Sequence, residues 1–313
     1  MTDFRPIYDC IDDLTVFWES LQSDWHRRGG SPDINIAQYP KEKILSKTSE
    51  QLSGVVGYFH DSPVCFGFVD RLTPTYGDLT LYSLYPEFRR PLVKTIIDAH
   101  FLDEVHCELL QYENTPVYSE ALNAYGASEN ARTRMCLNLS EFNIPQLSMP
   151  TTLKITPHLL DYAHLAGPIS AAAHRQSKDY VGYADLEEDA PRIALDHRLF
   201  SGFYGPIIPE GTLALWENER LIGVCEVVSI KGWGLDELPW IFDISIDPAF
   251  HGQKKGKYLL LEILHRLKEK GYPLIGLAVT KTNVAAIALY DALGFTITDD
   301  FNEYVVFVPK ETS

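Results

Sequence analysis

Two side chains seven residues apart, Asn283 and Tyr290, stand on what reads as one short helix. The order is Asn-x-x-Ala-x-x-Leu-Tyr-x-x-Leu-Gly-Phe, Asn283 to Phe295, and an apolar run, Leu274 to Val279, precedes it as a strand. Thr282 or Asn283 is a good N-cap and Gly294 a good C-terminal stop. Tyr290 therefore sits two turns along the helix. A phenol has a pKa near 10, so Tyr290 can act as a general acid toward a leaving group of similar basicity. The ordinary alternative is a packed helix tyrosine. Asn283 can cap the helix, meet a ligand, or do both.

A second cluster precedes the helix Lys257–Lys270. Asp247 to Lys257 reads DPAFHGQKKGK, with Gly252 and Gly256 beside Lys254, Lys255 and Lys257. A helix start offers unpaired N–H groups and partial positive charge, glycines admit a close backbone approach, and lysines add charge. Such a segment can hold a pyrophosphate; a solvated basic loop is the plainer alternative. Asp243, on the strand running into this loop, is the candidate proton acceptor, with a polar-face pairing as its alternative and Glu226 as the next candidate. Asp236 and Glu237 read as solvated loop acids.

The elements that must position these residues follow in order. Leu153–Ile155 reads as a strand, Leu159–Ala173 as a helix and 174–203 as a polar region, helical or looped. Thr212–Trp216 and Leu221–Ile230 form a hairpin, and Trp240–Ile246 is the next strand. In Lys257–Lys270, Leu260, Ile263, Leu264 and Leu267 fall at i, i+3, i+4, i+7, with Gly271 as the stop. Glu303–Val308 reads as a last strand. Upstream, much of this order recurs: a hairpin Gly57–Phe59 and Val64–Leu72, strand Leu79–Tyr85, helix Leu92–Phe101, strand Val105–Leu110, helix Val117–Tyr125 and strand Arg132–Leu139. The Pro-rich stretch 140–157 lies between the two copies. The expected division is 1–142, a linker at 143–156, and 157–313.

The order strand, Asn, helix, Tyr, Gly-Phe resembles the acyl-CoA-binding end of the GCN5-related N-acetyltransferases (GNAT). The likeness is good over residues 205–310 and rests mainly on order over 50–140. It implies an α/β fold of two tandem GNAT-like domains, each a mixed, mostly antiparallel sheet flanked by helices. It implies acetyl-CoA as the acyl donor, a small-molecule or peptide amine as acceptor, and direct transfer in a ternary complex. In the family's loop, Arg/Gln-x-x-Gly-x-Gly/Ala, His251 stands at the first signature position, Lys254 at the first glycine and Gly256 at the second. The loop backbone His251, Gly252, Gln253, Lys254, Lys255, Gly256 and Lys257 would then hold the pyrophosphate. A backbone N–H among Ile244, Ser245 and Ile246 would meet the thioester oxygen, Asn283 and Ala286 the pantetheine arm, and Tyr290 would act as general acid. Lys254 in place of glycine requires either that the backbone avoid positive φ or that it bear a cost of order 1 kcal/mol.

The upstream copy lacks this equipment. Its loop, PEFRRPLVK, has no glycine, and Leu122 stands where Tyr290 does, four before the glycine. It reads as a degenerate copy, with Arg89, Arg90 and Lys94 as a basic turn or an altered phosphate site. Acceptor specificity would sit in 174–203, where His174, Arg175, Tyr180, Tyr183, Asp185, Glu187, Glu188 and Asp189 are the candidates.

At 313 residues two domains are expected. A formal charge of −16 repels phosphate backbones and anionic lipid, so neither nucleic acid nor membrane is expected as a partner. Five cysteines, with no Cys-x-x-Cys and no secretory signal, read as reduced thiols in the cytoplasm. No metal-ligand spacing occurs among the ten histidines, so no metal is expected. The competing functional reading is a non-catalytic acyl-CoA-binding or regulatory protein. The sequence leaves the oligomeric state open.

Overall fold

The computed structural model describes residues 3–27, 35–71, 76–99, 104–110, 116–143, 145, 149–177 and 188–307. Their order is β1(Asp3–Pro6), α1(Leu14–Arg27), α2(Gln38–Ser46), β2(Leu52–Phe59), β3(Ser62–Arg71), β4(Tyr76–Ser83), α3(Arg89–Asp98), β5(Glu104–Leu110), α4(Pro116–Asn123) and β6(Ser128–Asn138). Then β7(Leu153–Pro157), α5(Ala163–Ser177), α6(Asp189–Phe200), β8(Leu213–Glu217), β9(Arg220–Gly232), β10(Leu235–Ile246), α7(Lys255–Glu269), β11(Leu274–Thr280), α8(Val284–Ala292) and β12(Thr296–Phe307) repeat it. Each half reads β-α-α-β-β-β-α-β-α-β. The repeat is fuller than the sequence pattern indicated, because β1, α1 and α2 also have counterparts.

The two compact units are 1–130 with 301–313, and 131–300. This differs from a division at 143–156, and the reason lies in the closing strands. In the first unit the strand order is β1-β2-β3-β4-β5-β12, and β12 lies antiparallel to β5 from Phe301↔Leu110 to Phe307↔Glu104. In the second it is β6-β11-β10-β9-β8-β7, with β6 antiparallel to β11 from Arg132↔Thr280 to Asn138↔Leu274. Each half thus lends its last strand to the other. Tyr304 and Val306, both fully buried, join α3 and α4 in the first unit's core. Met135 and Leu137 of β6 join the core under α7.

Each sheet contains one parallel pair, β4/β5 and β10/β11, among antiparallel ones. The expected apolar stripe of α7 is buried throughout: Leu260, Ile263, Leu264 and Leu267 are each 0% exposed. Burial contributes about 1.5–3 kcal/mol for each such side chain. β9 and β10 form a longer hairpin than expected, turned at Trp233 (φ 47°) and Gly234 (φ 78°). Asp236 and Glu237 accordingly lie exposed on β10 and not in a loop.

Candidate active site

β10 and β11 run side by side only at Trp240↔Gly276 and Ile241↔Leu277. Beyond that point β10 stays with β9 as far as Ile246↔Gly223, and β11 stays with β6. A register shift between Ile241 and Asp243 marks a bulge where the two part. Bulges bend a strand and end pairing. The result is a cleft whose floor is Ile241 and Leu277. Because the two strands are parallel, α7 and α8 both begin at its open end.

The Asp247 N–H reaches back to Ile222 O on β9 at 2.8 Å. Alternation along the strand then turns the N–H groups of Ile244 and Ile246 into the cleft and that of Ser245 toward β9. Ile244 and Ile246 therefore fit the expected backbone role, and Ser245 does not. Its hydroxyl instead donates to Asp243 on the α5 face.

At the cleft mouth, Gly256 opens α7. A Cβ placed there would lie 3.5 Å from Ile246 and 3.8 Å from Leu289, so α7, β10 and α8 converge on this glycine. The first intrahelical bond runs from Tyr258 N to Lys254 O at 3.1 Å, and no side chain caps the helix. The N–H groups of Lys255, Gly256 and Lys257 are thus left for an external acceptor. Lys254 takes φ 61°, ψ 12°, the left-handed conformation that glycine would supply. Gly252, at φ 74°, uses glycine's freedom in the same loop.

Not every loop side chain faces a ligand. Lys255 is buried and its ammonium pairs with Glu217 on β8, so only its N–H can serve an anion. The His251 ring nitrogen Nε2 lies 2.8 Å from Ile246 O, and Gln253 donates to Ala249 O. Lys254 is exposed and Lys257 half-buried. Asn283 caps α8, its Oδ1 accepting from Ala286 N at 3.2 Å. The Ala286 N–H is occupied by that cap. Tyr290 is buried, its ring 5.6 Å from that of Phe295.

Asp243 is corrected as a base. Its carboxylate accepts from Ser170 Oγ (2.6 Å), Arg192 Nη2 (2.8 Å) and Ser245 Oγ, and His174 Nε2 stands 3.2 Å away. Burial works against its ionisation, but the charges of His174 and Arg192 and these hydrogen bonds prevail and hold it well below the usual carboxylate range. A carboxylate so stabilised is a poor proton acceptor. Glu226 is fully buried beside Arg192 and His158.

Little in the residue pattern marks this buried hub. Arg192 on α6 is 1% exposed and bonds Ser170, Asp196, Glu226 and Asp243. Burial lowers its affinity for a proton, and the three carboxylates more than restore it. Burial, then Glu226, push the Asp196 carboxyl up to about 7 against the pull of Arg192. The only local signal was the i, i+4 spacing of Arg192 and Asp196. Among the specificity candidates, Arg175 and Asp189 face each other at 3.9 Å across exposed surface, and Glu188 precedes α6. Tyr180, Tyr183, Asp185 and Glu187 lie outside the described residues.

In the first unit, Arg89 is buried over the Tyr118 ring, Arg90 pairs with Glu120 and Lys94 with Asp98. Their charges serve the protein's own contacts. Leu122, at the place of Tyr290, is fully buried.

A cleft between diverging parallel strands, with an uncapped helix start at its mouth, is the arrangement of a GNAT-type fold. Residues 174–295 match the family model described as Acetyltransferase (GNAT) family. Over nearly its whole length the chain also superposes on a GCN5-related N-acetyltransferase from Sphaerobacter thermophilus (TM-score 0.60, 13% identity, 99% of this chain and 96% of that one). A tandem GNAT protein from the clavulanic acid biosynthesis pathway aligns similarly (TM-score 0.55, 14% identity, 99% and 100%). The fold is therefore that of the tandem GNAT structures, and the stretch 174–295 is similar in sequence to the family. Among the curated relatives that match in sequence are two acetyltransferases. One is a mycothiol acetyltransferase of Renibacterium salmoninarum, 28% identical over 54% of this chain and 47% of that protein. The other is a [ribosomal protein bS18]-alanine N-acetyltransferase of Escherichia coli, 41% identical over 28% of this chain and 62% of that protein. The matches thus span less than two thirds of either relative's length. Among the described residues, no helix is long and apolar enough to cross a membrane.

Proposed function

We propose that the chain is an N-acetyltransferase that joins the acetyl group of acetyl-CoA to a primary amine by direct transfer within a ternary complex. The observation that carries this reading is the cleft between β10 and β11 with the open N–H groups of α7 at its mouth. Acetyl-CoA supplies the activated acyl group. The N–H groups of Lys255, Gly256 and Lys257, with the Lys254 and Lys257 ammoniums, suit its pyrophosphate. The N–H of Ile244 or Ile246 is aimed where a thioester oxygen gathers charge. Tyr290 holds the proton for the departing thiolate.

The amine proton leaves through water, in place of the expected Asp243: His174 turns Nε2 to Asp243 at 3.2 Å and its Nδ1 is buried, so neither nitrogen is open to the amine. The names of the two relatives span a small-molecule acceptor and a protein alanine, so both classes of amine belong in the acceptor screen.

Calorimetric titration with acetyl-CoA, beside Gly256→Trp, tests the donor site. The convergence of Ile246 and Leu289 on Gly256 leaves a tryptophan only the cleft mouth to fill. One equivalent bound, and lost in the variant, supports the reading. Binding that survives Gly256→Trp contradicts it. Binding without thiol release on any amine would favour the non-catalytic reading.

A further inference from the structure

Apart from the cleft, three ligand-type side chains converge in the interior of the second unit. His158 follows β7 and is 2% exposed; Asp196 on α6 and Glu226 on β9 are each 0% exposed. One ligating atom from each lies within 4.8 Å of the others. Arg192 occupies only one side of the two carboxylates, bonding Asp196 Oδ1 and Glu226 Oε2. The opposite oxygens, Asp196 Oδ2 and Glu226 Oε1, have no hydrogen-bond partner, and neither ring nitrogen of His158 has one. Buried polar atoms are rarely left so, and here they are grouped.

His158 Nε2 and Glu226 Oε1 are 3.2 Å apart, yet the contact lacks the alignment of a hydrogen bond. Two ligands sharing one ion show such a contact. Bonds of about 2.0–2.2 Å in a tetrahedron place neighbouring ligands roughly 3.3–3.6 Å apart. Charge points the same way. Asp196, Glu226 and Asp243 are three acids around one guanidinium, and a buried charge surplus is costly. A divalent cation among these oxygens would offset the surplus.

We propose that His158, Asp196 and Glu226 bind a divalent transition-metal ion of the zinc class, pinning α6 and the end of β7 to β9. An imidazole ligand and three protein donors disfavour calcium and magnesium. Arg192 then acts as the outer partner that orients both carboxylates. The Tyr162 and Phe200 rings, 6.4 and 5.4 Å from that of His158, wall the site.

The test is metal content of the full-length protein by plasma mass spectrometry, followed by chelation and titration with Co2+ or Zn2+. The expected result is near one equivalent per chain, visible d–d bands of four-coordinate Co2+, and a Tm raised by Zn2+. His158→Ala should lower the metal content at least tenfold, while His265→Ala, in an exposed His–Glu pair, should leave it unchanged. Metal-free wild-type protein with no Co2+ bands and no Zn2+ shift overturns the proposal. Equal metal in wild type and His158→Ala overturns it as well. The wild-type arms decide the matter even if the variant fails to fold.

Discussion

Lys254→Gly should stabilise the protein relative to Lys254→Ala, although both remove the same ammonium. At φ 61° and ψ 12° a side chain with a Cβ sits in the left-handed region. The cost there is about 1–2 kcal/mol. Glycine escapes it but loses more freedom on folding, which returns about 0.4–1 kcal/mol. The glycine variant should therefore exceed the alanine variant by about 0.5–1 kcal/mol, or roughly 2–4 °C per kcal/mol in a unit of this size. Urea unfolding followed by the second unit's tryptophans, Trp216, Trp233 and Trp240, reads it directly. Equal stability of the two variants, or a more stable alanine, would show that the loop relaxes out of this conformation. The backbone donors of α7 survive both substitutions, so acetyl-CoA affinities should agree within about threefold, roughly 0.6 kcal/mol.

Tyr290→Phe should lower kcat by about 10²–10⁴-fold and leave acetyl-CoA affinity intact; an unchanged kcat would remove Tyr290 from the chemistry. Asp243 ionises more readily folded than unfolded, so its contribution to stability is full above the unfolded value of about 4 and is lost as pH falls below it. Asp243→Asn should flatten that acid limb in pH-dependent unfolding, and an unchanged limb would locate the titration elsewhere. Of five cysteines only Cys136 is not buried, and burial pushes the Cys65 thiol up to about 12, so native protein should release one thiol rapidly to a disulfide reagent and five when unfolded. Several fast native thiols would contradict this packing.

The second half's helices and strands were legible because their signals are local. The stripe from Leu260 to Leu267 and the Asn283 cap each lie within one or two turns. The cleft was legible only in part. Its glycines and lysines could be read off, but the inward turn of Lys255 depends on Glu217, 38 residues away. The demotion of Asp243 depends on Ser170, His174 and Arg192, brought in by α5 and α6, and the last two come from a stretch that reads as polar. Strand exchange was hidden for a related reason. Pairing partners are chosen by tertiary packing, and neither β6 nor β12 carries a mark of which half it will join. Arg134 meets Asp299 at 2.7 Å, a contact between residues from the two sequence halves.

Exchange of the closing strands also sets an order of events during synthesis. β5 ends at Leu110, and its neighbour β12 begins that pairing only at Phe301. At about 5–20 residues per second, the chain between them takes roughly 10–40 s to make. Throughout that interval the first unit has an unpaired β5 edge and a core without Tyr304 and Val306, whereas β6 is already waiting when β11 emerges. The half made first is therefore completed last, and its open edge is the place where a nascent chain would be captured by a chaperone or a neighbouring copy.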